Sequence, residues 1–184
     1  MPIQTTFQTN RLKLRPLFLS DAKAIREAAS SQEVAKNMIS IPYPYPEKEA
    51  DRYIKRQIKE FKQRRSVTFV LEEKTNQAFL GMIEVRDIDW EHWLAELSFW
   101  LKFEAWGQGY MSEALPCVLA YVFKYLNMNR LYAYHLVKNQ ASGRVLEKSG
   151  FVQEGVLRQR VKIRGVFEDV ILKSLSKQEW QDRI

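Results

Sequence analysis

A chain of 184 residues that is 46% hydrophobic can bury a core of its own and is too short to need a second domain, so one domain over 1–184 is expected. Its 29 Lys and Arg against 22 Asp and Glu give a formal net charge of +7, which either favours phosphate-bearing partners or only keeps the surface soluble. The lone cysteine, Cys117, excludes an intrachain disulfide and fits a reducing compartment, where it packs as a small hydrophobe. With no charged-then-apolar opening and no run of eighteen apolar residues, neither a signal peptide nor a membrane span is read, and a cytoplasmic protein is expected.

In chain order, Arg11 to Leu17 alternates as a first strand, and Ser20-Asp21 caps a helix through about Ser30. A short helix follows over Gln32 to Met38. Ile41-Pro42-Tyr43-Pro44-Tyr45-Pro46 places three alternating prolines, which forbid helix and force an extended loop. Glu47 to Gln63 carries Ala50, Tyr53, Ile54, Ile58 and Phe61 on one face, the mark of a surface helix. Val67 to Glu72 and Ala78 to Asp89 read as strands joined by a Lys-Thr-Asn-Gln turn, and Trp90 to Trp93 turns the chain into a third, Leu94 to Leu101.

That third strand is apolar enough to be covered on both faces, and it feeds Gly107-Gln108-Gly109. Beyond the glycines, Met111, Ala114, Leu115, Val118, Leu119, Val122 and Leu126 keep the spacing of one helix face. Pro116 either kinks this helix or delays its regular part, since an interior proline costs about 3 kcal/mol. Tyr132 to Val137 is strand-like, a helix follows through Ser149, and Phe151 to Arg160 with Phe167 to Leu175 form a hairpin around Gly165. Two early helices, a meander, one β-α-β crossover and a closing hairpin make an α+β fold, a three-layer arrangement on a mixed sheet.

A strand entering a glycine turn that opens a helix leaves backbone N–H groups without partners, aimed into one space at the positive end of the helix dipole. Such a space suits a phosphate, although a lone Gly-x-Gly is also an ordinary connection. It is neither a dinucleotide fingerprint nor a P-loop, because the third glycine and the Gly-Lys-Ser/Thr ending are both absent.

A second stretch adds weight: Asn139-Gln140-Ala141-Ser142-Gly143-Arg144-Val145-Leu146-Glu147-Lys148-Ser149-Gly150-Phe151. Together with EAWGQGYMSEAL at 104 to 115, it resembles the GNAT superfamily of acetyl-CoA-dependent N-acetyltransferases. The opening Thr9-Asn10-Arg11-Leu12-Lys13-Leu14-Arg15-Pro16-Leu17 and the closing Glu154-Gly155-Val156-Leu157-Arg158, with Gly165 and Asp169, resemble its ribosomal-protein branch. The resemblance implies the GNAT fold, with a mostly antiparallel central sheet of about seven strands flanked by helices. It also implies that strands four and five splay apart to take the pantetheine arm of acetyl-CoA. Carried over, the backbone of Phe99 and Leu101 pairs with pantetheine. Amides of Gly107, Gln108, Gly109, Tyr110, Met111 and Ser112 hold the pyrophosphate, Asn139 bonds pantetheine, and Lys148 lies near the adenosine phosphate. In the same light, CoA, or ribosomal RNA around a ribosomal protein, is the polyanion that the basic surface would meet.

Acetyl transfer needs a neutral amine, a stabilised oxyanion and a proton for the departing thiolate. Two carboxylates are candidates for the base. Glu96 interrupts an apolar strand, where a buried carboxylate requires a partner, and Glu104 stands at the first position of the phosphate-loop pattern, where the ribosomal branch commonly carries a glutamate base. The tyrosine that many members use as acid is replaced by Leu146, so the resemblance points to Ser142, whose alternative role is helix or loop hydrogen bonding.

Tyr43, Tyr45, Trp90, Trp93 and Trp106 either line an acceptor groove or serve packing and homodimer contacts. His92 and His135 are isolated, and no metal spacing is present. Three functions are therefore open. The chain acetylates a protein α-amine, plausibly on a ribosomal protein; or a small amine such as an antibiotic, polyamine or amino acid; or it is a non-catalytic basic RNA-binding module.

Overall fold

The computed structural model describes residues 5–183. One sheet of eight strands runs β1-β2-β3-β4-β5-β6-β8-β7. These are Phe7–Gln8, Leu12–Pro16, Val67–Glu73, Phe79–Asp89, Leu94–Leu101, Arg130–Leu136, Val152–Ile163 and Val166–Ser176 in chain order. The strand beyond the expected seven is the two-residue β1, paired with Leu14 and Lys13. Every neighbour is antiparallel except β5 and β6, which the crossover helix makes parallel.

Helices α1 (Ala22–Ala29), α2 (Gln32–Asn37) and α3 (Glu49–Lys62) occupy one side of the sheet, and α4 (Tyr110–Ala120) the other. Two apolar clusters follow from this layering. Leu12, Phe69, Ile83, Val85, Ala95 and Leu97 pack beneath Met111, Leu115 and Val118 of α4, while Val70 and Met82 pack beneath Ile25, Ala50 and Ile54. Alternate residues of β3 thus serve opposite cores, as the two-residue period of a strand requires. Helix α5 (Gln140–Lys148) lies over β6, and the short α6 (Lys177–Gln181) closes the chain.

Asp21 does not cap α1 with its side chain. It accepts instead from the Phe18 amide at 2.8 Å and from Arg15 at 2.8 Å, because the nearby guanidinium competes successfully for the carboxylate. Pro116 delays nothing: α4 starts at Tyr110 and runs through it, then widens into a π turn over Tyr121–Tyr125. Gly81 is required by packing, since a β-carbon there would lie 2.2 Å from the Trp100 carbonyl oxygen of β5.

Candidate active site

The parallel pairing of β5 with β6 covers Leu94, Ala95 and Glu96 against Arg130, Leu131 and Tyr132, and stops there. From Leu97 onward the strands diverge, and a groove of about 380 Å3 opens between Phe99, Trp100 and Leu101 on one wall and Asn139, Ser142 and Val145 on the other. Backbone groups on the β6 side of β5 have no ladder partner there, so an extended ligand can pair with them as a strand would. The Leu101 carbonyl is already engaged by the Trp106 indole at 2.9 Å. Of the two residues expected to offer backbone groups, Phe99 is the less encumbered.

At one end of this groove lies the mouth of α4. Gly107 and Gly109 have φ of 72° and 78°, a left-handed region that costs a residue with a β-carbon about 1 kcal/mol or more. No side chain caps the helix, and the Glu113 amide is the first to find an acceptor in it, Gly109 O at 3.0 Å. The amides of Tyr110, Met111 and Ser112 precede that first bond and point at the opening. Gln108 does not aim its side chain there, but donates to Glu104 O at 2.6 Å. Glu113 anchors the mouth from behind: it accepts from Thr9 Oγ1 at 2.6 Å, the Arg11 amide at 2.8 Å and Arg11 Nε at 2.7 Å.

The cations at the groove are Lys138 and Arg144, which sequence reasoning missed. Lys148 lies one turn beyond Arg144 at the exposed C-terminal end of α5 and does not line the groove. The i, i+4 spacing of Arg144 and Lys148 was the available signal, because it puts both on one helix stripe with Arg144 nearer the groove.

Asn139 caps α5, its Oδ1 accepting from the Ser142 amide at 3.1 Å, while its Nδ2 donates to Asn37 O at 3.2 Å. Its amide is thus spent on holding the loop, and Ser142, half-buried, lines the groove. Ser142 also borders a smaller cavity between the diverging strands, with Glu96, Ser98 and His135. His135 is buried, its Nδ1 donating to the Leu136 carbonyl at 3.0 Å and its Nε2 without a partner. Burial holds its pKa below the ordinary value, so the ring is neutral.

On the opposite face a second pocket, of about 340 Å3, lies between α1, α3, the proline loop and the sheet. Its floor is a cross-strand grid: Glu84 faces Ser98, and Arg86 faces Glu96. Arg86 Nε donates to Glu96 at 3.1 Å, so Glu96, one of the two expected bases, already has a guanidinium partner. Glu84 was not singled out from sequence; it accepts from the Tyr53 hydroxyl at 3.3 Å, and burial raises its pKa above the ordinary carboxylate value. Glu104, the other expected base, sits in the Phe103–Ala105 turn. There it lines a separate hollow with Ala24, Glu27 and Lys102, and the fold does not bring it to either of the two pockets above.

Of the aromatics, Tyr45 lines the second pocket and Trp106 the groove. Tyr43 lies under Arg164, and Trp90 and Trp93 pack on each other at a remote turn, 5.9 Å between rings. Met38 and Trp100 line both pockets, and Ser98 lines the second pocket and the smaller cavity between the diverging strands.

A splayed parallel pair, a left-handed glycine turn at a helix mouth and a pocket on each face define a class of protein, an acyltransferase that draws its acyl group from CoA. The chain matches the family model for the Acetyltransferase (GNAT) domain over residues 11–152 and belongs to that family. It is 31% identical over 175 residues to the uncharacterized N-acetyltransferase YoaA of Bacillus subtilis, covering 92% of this chain and 96% of that one. A spermidine N(1)-acetyltransferase of Vibrio cholerae is 27% identical over 161 residues, 88% of this chain and 90% of that one. Among solved structures, the ribosomal L7/L12 α-N-protein acetyltransferase RimL in complex with coenzyme A superimposes with a TM-score of 0.86 at 19% identity, covering 94% and 98%. The chain is thus an acetyl-CoA-dependent N-acetyltransferase with the GNAT fold, and the non-catalytic reading is set aside. Among the described residues no helix is long and apolar enough to cross a membrane.

Proposed function

We propose that the chain acetylates a single primary amine, the α-amine of a protein N-terminus, with a ribosomal protein as the natural candidate. The observation that carries this is the charge pattern of the second pocket. Glu60 is held by Arg65 at 2.6 Å and Glu49 by Arg52 at 3.5 Å, while Glu96, which lines the neighbouring smaller cavity, is held by Arg86. A polycation needs several carboxylates at liberty along its length, whereas of the four that line this pocket Glu49 and Glu60 are taken by arginines, which leaves Glu84 and Asp87. What it offers suits one ammonium followed by neutral, hydrogen-bonding chain.

In this reading the amides from Gly107 through Ser112 grip the pyrophosphate and the β5 edge at Phe99 aligns pantetheine. Asn139 fixes the loop, and Lys138 and Arg144 supply charge for the phosphates. The thioester then lies where Ser142 can give the departing sulfur a proton. The second reading, a small amine, is favoured by the likeness to the spermidine enzyme.

Thiol release from acetyl-CoA decides between them, measured with peptides beginning in Ala or Ser and with spermidine. The expected result is turnover of peptides with kcat/KM at least tenfold above spermidine. The reverse order overturns the peptide assignment, and the absence of both turnover and acetyl-CoA binding overturns the enzyme's site.

A further inference from the structure

We propose that Glu84 is the group that receives the acceptor ammonium and takes its proton, with Tyr53 holding the carboxylate in place. The inference rests on the acetyltransferase reading above and names a residue for its acceptor side. Glu84 lies in the pocket wall on β4, directly across from Ser98 of β5. Ser98 borders both this pocket and the cavity between the splayed strands, so the carboxylate stands where the acceptor pocket comes nearest to the space between those strands.

Its surroundings are unusual for a glutamate. Among the described residues Glu84 makes no ion pair, although Arg86 lies two residues along the same strand, because that guanidinium turns to Glu96. What holds Glu84 instead is neutral: the Tyr53 hydroxyl at 3.3 Å, backed by Gln57, whose Oε1 accepts from Ser66 at 2.9 Å and Thr68 at 3.3 Å. A carboxylate withdrawn from water is costly when the nearest cation, Arg86, acts on it only through space and is bonded to another carboxylate, and an incoming ammonium relieves that cost. The raised pKa fits the same picture, since a base must compete for the proton of an amine. Tyr53 is itself pushed well above the ordinary phenol value by burial, so it remains a donor and not a competing anion.

The balance is simple. An acceptor ammonium must lose two protons to become an amide. One passes to Glu84 and leaves through the pocket mouth to water, which frees the nitrogen lone pair. Nitrogen then bonds to the acetyl carbon, the carbon–sulfur bond breaks, and the second proton ends on sulfur.

The test compares wild type, Glu84→Gln, Glu84→Asp and Tyr53→Phe as full chains, with an Ala-initiated peptide as acceptor. Acetyl-CoA-induced thermal stabilisation is measured first and is expected to be the same in all four, because the groove is untouched. Glu84→Gln is then expected to lose at least a hundredfold in kcat/KM near neutral pH. Part of this loss should return as pH rises towards the amine pKa, where the acceptor arrives neutral. Glu84→Asp should keep more activity than Glu84→Gln, and Tyr53→Phe should lower kcat by about tenfold or less. Charged and titrating groups that share the pocket with Glu84 or act on it are Tyr45 of the proline loop, Glu49, Tyr53, Arg56 and Glu60 of α3, Arg65 of the loop before β3, Arg86 and Asp87 of β4, and Glu96 of β5. A profile that shifts without recovery in Glu84→Gln therefore indicts one of these and overturns the proposal. Wild-type kcat/KM within threefold in Glu84→Gln overturns it too, and leaves the acetyltransferase reading standing. Should wild type neither bind acetyl-CoA nor release thiol, both fall together.

Discussion

Gly143 of α5 lies so close to the His135 ring of β6 that a β-carbon on it would come within 2.9 Å of Cε1 and 3.1 Å of Nε2. The residue before it in the chain is Ser142, so this close approach sets how far the candidate proton donor reaches into the groove. Gly143→Ala is expected to push α5 off the sheet, costing about 1–3 kcal/mol as an overpacked site does. Denaturant unfolding measures the cost, and unchanged stability would show that the ring swings aside freely.

Ser142 has its amide capped by Asn139 and lines the groove. Ser142→Ala should slow turnover at least tenfold while leaving the affinity for acetyl-CoA within about threefold. Single-turnover rates and titration calorimetry separate the two effects. Equal rates in variant and parent would remove the hydroxyl from proton transfer.

Gly109 precedes the unpaired amides of α4 with a left-handed φ of 78°. A valine there strains the turn and narrows the mouth. Acetyl-CoA at a hundredfold over its Kd stabilises a folded protein by about 2.7 kcal/mol. Gly109→Val should abolish the corresponding rise in melting temperature, and an unaltered rise would place the diphosphate elsewhere.

Gly81 faces Leu101 across the β4–β5 pair with no room for a methyl group, the obstacle being the Trp100 carbonyl oxygen and the Leu101 Cα, backbone that cannot rotate away. Gly81→Ala is expected to destabilise by about 2 kcal/mol or more, as misfits in packed interiors do. A melting temperature within a degree of wild type would show that β5 can shift.

Lys173 is buried on β8, and its ammonium meets Glu147 of α5 at 2.8 Å. That contact holds the Glu147 carboxyl below its ordinary value of 4.5. A lowered carboxylate contributes stability above its unfolded pKa and loses it as pH falls through the folded one. Glu147→Gln should therefore lower the melting temperature at pH 7 and flatten the decline below about pH 4.5. The same slope in both proteins would show that another pair governs acid unfolding.

Much of this molecule follows from local chemistry. The strand runs of β3 and β4, the 3.6-residue stripe of α4 and the proline loop are written in residue order, because they depend on neighbours a few positions apart. The glycines at 107 and 109 are equally legible, since only a turn with positive φ needs both beside a helix start. The same local logic failed at Asp21, where Arg15 took a carboxylate that helix α1 could have used. It also could not place Glu104, because the short turn over Phe103–Ala105 faces that side chain toward α1. Register decided the rest. Ser98 meets Glu84 and Glu96 meets Arg86 only once β4 and β5 are paired, and Tyr53 joins them only when α3 docks. The polar groups that line the second pocket are brought together by hydrogen-bonded strands and a packed helix, and sequence spacing carries no record of which carboxylate a given arginine will choose.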